Sequence, residues 1–188
     1  VSSFELIGRM GFDFLVETGF DLRAPFDPVP DWVVLLELGL PAGMEPEVTM
    51  AGLYEAGAEA GLVTDGVIAH SEAQAQHLWE LRETIPLANR KVGAVSSHDI
   101  SLPLSAIPGF VESAPAAIAG LGDFRVNCFG HLGDGNLHWN VFPAKGHARA
   151  EYEAVRDRVK TTVHDIVHAL GGSVAAEHGV GRLKAGDL

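Results

Sequence analysis

The chain has 188 residues, 47% hydrophobic and 20% charged, with a mean hydropathy of +0.15, so one folded domain with a sizeable core is expected and disorder is excluded. Thirteen basic against 25 acidic residues give a net charge of −12, which argues against a nucleic-acid or anionic-membrane surface. Cys128 is the single cysteine, so no disulfide can close within the chain and a cysteine-built zinc site is excluded.

In chain order, Phe4 to Thr18 reads as a helix, followed by a loop punctuated by Pro25, Pro28 and Pro30. Trp32 to Leu38 is aromatic and β-branched, as a strand requires. Its apolar run stops at Glu37, far short of the ~18 residues of a membrane-spanning helix. No basic stretch followed by an apolar one marks a signal peptide; a cytoplasmic protein, or one peripheral to a membrane, is expected. After Pro41 a helix runs to about Ala60, with Val48, Leu53, Ala56 and Ala60 on one stripe. Gly66 to His70 is a short strand. Ser71 with Gln74 three residues on opens a further helix as a capping box, and Pro86 is expected to end it near Ile85.

Val92 to Leu102 is strand-like, and Leu104 to Leu121 has helical spacing made irregular by Pro108 and Pro115. Phe124–Gly130 and Leu137–Phe142 are strands around a Gly-Asp-Gly-Asn turn, a strong hairpin signal. Tyr152, Val155, Val159, Val163, Ile166 and Leu170 mark the clearest amphipathic helix. Gly171-Gly172 ends it, and Ser173 to Ala176 is extended. The pattern predicts an α+β, ferredoxin-like sandwich: an antiparallel sheet covered by helices on one face. The chain stops at Leu188 just after a helix-like start at Gly181-Arg182-Leu183, so a fragment is expected.

Two constellations carry chemistry. In His131-Leu132-Gly133-Asp134-Gly135-Asn136-Leu137-His138 the glycines and the Asp/Asn residues permit a tight reversal, which would bring two imidazoles towards a common point. Such a pair suits a borderline divalent metal, and a third ligand would leave an open catalytic position. Histidines that only satisfy turn hydrogen bonds are the alternative. In Ser173-Val174-Ala175-Ala176-Glu177-His178-Gly179-Val180-Gly181, adjacent Glu and His on an extended segment diverge, so that one can hold a metal while the other faces a reacting group; a surface loop is the alternative. Arg82 shares a helical stripe with Leu78 and Ile85, either snorkelling to solvent or clamping a buried anion. His164 and His168, four apart on a helix, lack a third ligand motif and are expected to be exposed or half-exposed.

These two segments, with Trp79-Glu-Leu-Arg82-Glu and His98-Asp-Ile-Ser-Leu-Pro103 in the same order, resemble the C-terminal domain of FAD-linked oxidases. That family includes D-lactate dehydrogenases, D-2-hydroxyglutarate dehydrogenases and the glycolate oxidase flavin subunit. The resemblance implies one substrate- and metal-binding cap domain over residues 1–188, separate from an N-terminal FAD-binding domain of the same protein. It implies a divalent metal, zinc in similar proteins, on His131, His138 and Glu177. It implies substrate binding by Arg82 and Asn140, with His178 as general base. The implied reaction oxidises a small 2-hydroxy acid (lactate, glycolate or 2-hydroxyglutarate type) to the 2-oxo acid by hydride transfer to FAD. The downstream electron acceptor is left open, and a homodimer is compatible with it. Pro86 and Ser97 stand where close D-2-hydroxyglutarate dehydrogenases have a threonine and a lysine, which points to a monocarboxylate or to another chain element that supplies the charge. No Gly-x-Gly-x-x-Gly and no Gly-x-x-x-x-Gly-Lys loop is present to hold the flavin. A metal-dependent hydrolase and a non-catalytic module that keeps the fold are the rival readings.

Overall fold

The computed structural model describes residues 1–177. Strand β1 (Ser3–Gly8) leads into helix α1 (Arg9–Glu17), then come β2 (Trp32–Glu37), α2 (Pro46–Glu59) and α3 (Glu72–Val92). β3 (Ser96–Ser101), α4 (Ile107–Ala119), β4 (Phe124–His131), β5 (Asn136–Pro143) and α5 (Arg156–Ala169) follow. The five strands form one sheet in the order β2-β1-β4-β5-β3, and every neighbouring pair is antiparallel. This is the expected α+β class. No helix of the described residues is long and apolar enough to cross a membrane.

Helical cover lies on both faces of the sheet, one layer more than expected. On one face α4 and α5 bring Phe110, Ile118, Val159, Val163 and Val167 against Leu6, Ile100, Cys128, Trp139 and Val141. On the other, α1 and α3 bring Phe14, Leu15, Leu81, Ile85 and Ala88 against Ile7, Phe129 and Phe142. Successive side chains of a strand point to opposite faces. The apolar neighbours Leu6-Ile7, Cys128-Phe129 and Val141-Phe142 therefore demand burial on both.

Four local expectations are corrected. The helix expected from Phe4 to Thr18 is two elements, because residues Ser3–Gly8 find strand partners on both sides, in β2 and β4. The helix expected to end near Ile85 runs through Pro86 to Val92. Proline removes one main-chain donor, and burial of Leu81, Ile85 and Ala88 holds the helix together across it. No strand forms at Gly66–His70. There the Gly66 N–H donates to Asp65 Oδ1 (2.7 Å) and the His70 N–H to Gln74 Oε1 (2.8 Å), so side chains take the place of a ladder. The stripe expected on α2 is also uncovered: the helix buries no residue.

The β4–β5 hairpin and the C-terminal segment are locked to β3. The Leu102 N–H donates to the Gly135 carbonyl (2.9 Å), and Ser101 and Ser173 exchange main-chain hydrogen bonds of 2.9 and 2.8 Å. Gly135 has φ +73°, and a Cβ there would collide with the Leu102 carbonyl oxygen. Gly135→Ala should therefore lower stability by about 1–3 kcal/mol, measured by urea denaturation. An unchanged midpoint would show that the hairpin relaxes freely.

Candidate functional site

The antiparallel registers gather the site on the face covered by α1 and α3. Glu5 of β1 lies directly opposite His131 of β4, and Asp99 of β3 directly opposite His138 of β5. Residues directly opposite in antiparallel strands share a face and sit side by side. Each imidazole is thereby given a carboxylate neighbour by a strand remote in sequence.

The geometry follows from that pairing. His131 Nδ1 lies 2.6 Å from Glu5 Oε1. An ionised carboxylate can only accept, so the proton of a neutral imidazole sits on Nδ1 and leaves Nε2 with its lone pair. His138 turns Nδ1 towards Asp99 Oδ1 at 3.6 Å. The Nε2 atoms of His131 and His138 lie 3.0 and 3.8 Å from Glu177 Oε1. Donor atoms of the three residues all fall within 4.8 Å of one another. Asp99 also sets Glu177 in place: its Oδ2 accepts the Glu177 N–H (2.9 Å), while its Oδ1 accepts from Asn136 Nδ2 (2.9 Å).

The donor chemistry fits a borderline divalent cation. It comprises two imidazole nitrogens and one carboxylate oxygen, with a carboxylate behind the Nδ1 side of each ring to orient it. Burial first of all holds His138 below the ordinary imidazole range, against the upward pull of Glu177 and Asp99. That favours the neutral ring, the form that ligation requires.

Arg82 is buried on this face, and the anion that it clamps is Glu5. Nε and Nη2 each lie 2.9 Å from Glu5 Oε2, and the guanidinium stacks over the Phe129 ring at 4.8 Å. Asn140 is buried with its Oδ1 accepting the His98 N–H (3.3 Å), one position along β5 from Val141 and two from His138. His178 lies outside the described residues. His164 was expected to be at least half-exposed and is buried instead, its ring centroid 5.3 Å from that of His98 on the opposite face of the sheet. His168 is exposed.

Glu5 and Asp99 were missed in the sequence. In a helix Glu5 is unremarkable; in a strand, Phe4-Glu5-Leu6-Ile7 places a carboxylate among residues buried on both faces. Asp99 carries the same signal between His98 and Ile100.

Burial pushes the Glu5 carboxyl up, but the hydrogen bond from His131 and the charge of Arg82 outweigh it and hold it below the ordinary carboxylate range. With the folded value depressed, the stability from its ionisation is complete above the unfolded value of about 4.3 and is lost as pH falls through the lower folded value. The urea midpoint of wild type should therefore exceed that of Glu5→Gln near neutrality and approach it in acid. A gap independent of pH would reject the ion pair. Arg82→Met, which strands the buried carboxylate, should cost about 3–5 kcal/mol at neutral pH, measured in the same assay.

A family model described as "FAD linked oxidases, C-terminal domain" matches residues 1–188. The chain is 36% identical over 163 residues to a D-2-hydroxyglutarate dehydrogenase of Xanthomonas citri, covering 86% of this chain and 34% of that protein. It is 33% identical over 190 residues to the mitochondrial D-2-hydroxyglutarate dehydrogenase of Arabidopsis thaliana, covering 100% of this chain and 32% of that protein. A D-2-hydroxyglutarate dehydrogenase of Stutzerimonas stutzeri is 34% identical over 165 residues. The chain thus spans about a third of the length of the curated relatives it matches. By its match from end to end, this chain belongs to the family of FAD-linked oxidases, as their C-terminal domain.

Proposed function

We propose that this chain is the substrate- and metal-binding domain of a flavin-dependent dehydrogenase that oxidises a D-2-hydroxy acid to the 2-oxo acid. The observation that carries the reading is the convergence of His131 Nε2, His138 Nε2 and Glu177 Oε1 on the same sheet face as a buried arginine. The names of the relatives, D-2-hydroxyglutarate dehydrogenases, support the reaction class.

In this reading His131, His138 and Glu177 hold a divalent cation, zinc by the chemistry of the donors. When bound, the cation supplies Lewis-acid polarisation of the substrate hydroxyl, and the flavin, held mainly by another domain, supplies the two-electron acceptor. Arg82 anchors the substrate carboxylate through donors not engaged by Glu5, since a guanidinium has five N–H groups. Asn140, on the same face as His138, supplies a polar contact to the substrate. His178 takes the hydroxyl proton as general base, a role typically worth about 10²–10⁴-fold in rate. Phe129, packed between Arg82 and His138 with ring contacts of 4.8 and 5.0 Å to the two, excludes water from one wall of the site.

Within the 2-hydroxy acids, Ser97 pairs with Asn140 on the site face and Pro86 lies one turn after Arg82, and neither offers a charge to a second carboxylate. This favours a monocarboxylate such as lactate or glycolate. The relatives' names favour 2-hydroxyglutarate. Initial rates of the full-length protein with the three acids decide between them.

Two measurements test the reading. Titration of the 188-residue chain with Zn²⁺ should show one site per chain, and Glu177→Ala should weaken it by an order of magnitude or more; no binding by wild type would leave the site without its cation. In the full-length protein His178→Ala should abolish flavin reduction by substrate while zinc content stays unchanged, and the isolated 188-residue chain should be colourless. Turnover of an ester or amide by the isolated chain would favour a hydrolase instead.

A further inference from the structure

We propose that Glu5 is a positioning residue that couples the carboxylate anchor to the cation site and selects the tautomer of His131. One carboxylate serves two functional groups with its two oxygens. Oε1 faces His131 Nδ1 at 2.6 Å and also accepts from Ser3 Oγ at 3.1 Å. Oε2 takes Nε and Nη2 of Arg82, each at 2.9 Å. Glu5 itself is 2% exposed and anchored in β1 between two hydrogen-bonded neighbouring strands. Arg82 arrives on α3 and His131 ends β4, and Glu5 touches both. The separation between the guanidinium and the His131 Nε2 lone pair is set by a rigid, buried spacer.

The tautomer follows from acceptor chemistry. With only lone pairs to offer, Glu5 requires the proton on Nδ1, which frees Nε2 to face Glu177. Glutamine has the same shape, but its amide must present O to one neighbour and NH₂ to the other. Arg82 is donor-only and takes the amide oxygen, leaving NH₂ towards His131. Nδ1 must then accept, and the proton moves to Nε2, the atom that faces Glu177.

The consequence for the cation rests on the reading proposed above; the tautomer does not, and is tested separately. Side-chain ¹⁵N NMR of the 188-residue chain without metal, at about pH 9 where an imidazole is ordinarily neutral, should show His131 protonated on Nδ1 with a pyridine-type Nε2. In Glu5→Gln the two signals should exchange character, and Zn²⁺ affinity should fall about 10–100-fold. Wild-type His131 carrying its proton on Nε2 would overturn the assignment, whether or not Glu5→Gln folds. So would a Glu5→Gln protein that folds with both tautomer and zinc affinity unchanged. Failure of wild type to bind zinc, with the Nδ1 tautomer present, would sink the cation reading and leave the role of Glu5 in orienting His131 standing.

Discussion

The site exists because four antiparallel strands hold one register. With a side-chain period of two, a slip by a single residue would carry a whole set of side chains to the other face. In the observed register Glu5 stands opposite His131 and Asp99 opposite His138, so these four polar residues of β1, β3, β4 and β5 collect together. The same alternation sends Leu6, Cys128, Trp139 and Ile100 to the opposite face under α4 and α5. The apolar core and the polar site are two sides of one constraint, and the burial that fixes the register also fixes the chemistry.

The proposed function sets a net charge of −12 against an anionic substrate, a conflict that only local electrostatics can resolve. The site face carries Glu5, Asp99 and Glu177 against Arg82, and burial lowers the His138 pKa and so favours its neutral form. A small anion would be repelled by such a face on its own. In the proposed function a divalent cation between the imidazoles and Glu177 would reverse the local sign, and Arg82 would supply a directional anchor. Glu5 carries a cost for the fold, since a buried carboxylate is tolerable only while its partners stay in place. Arg82 and His131 are those partners.

Asp99 gives the second half of the site its integrity. The segment that carries Glu177 is joined to the sheet by the Ser101–Ser173 bridge, and the Asp99 carboxylate reaches from β3 to the Glu177 main chain and to Asn136 at the start of β5. Glu177, at the end of the described chain, is thereby brought to His131 and His138 on a hairpin some forty residues earlier. The glycine at 135 permits the tight approach of that hairpin to Leu102, so turn chemistry and site assembly are linked.

Much of this was legible in the sequence, for local reasons. The hairpin with His131 and His138 at its flanks follows from Gly-Asp-Gly-Asn, the α5 helix from its 3.6-residue period, and the likeness to FAD-linked oxidases from four short motifs in order. Arg82 can be read as a clamp for a buried anion, but its anion cannot be named from sequence, because Glu5 lies 77 residues away in a segment that reads as a helix. Helix and strand are hard to separate in a short apolar run such as Phe4-Glu5-Leu6-Ile7; pairing with β2 and β4 decided it. Continuation of α3 through Pro86 was likewise decided by packing. The residue types that can ligate a cation were determined by the sequence itself. Which carboxylate stands behind each imidazole, and which nitrogen faces Glu177, were decided only by tertiary structure, because cross-strand register is a property of segments that meet only in the fold.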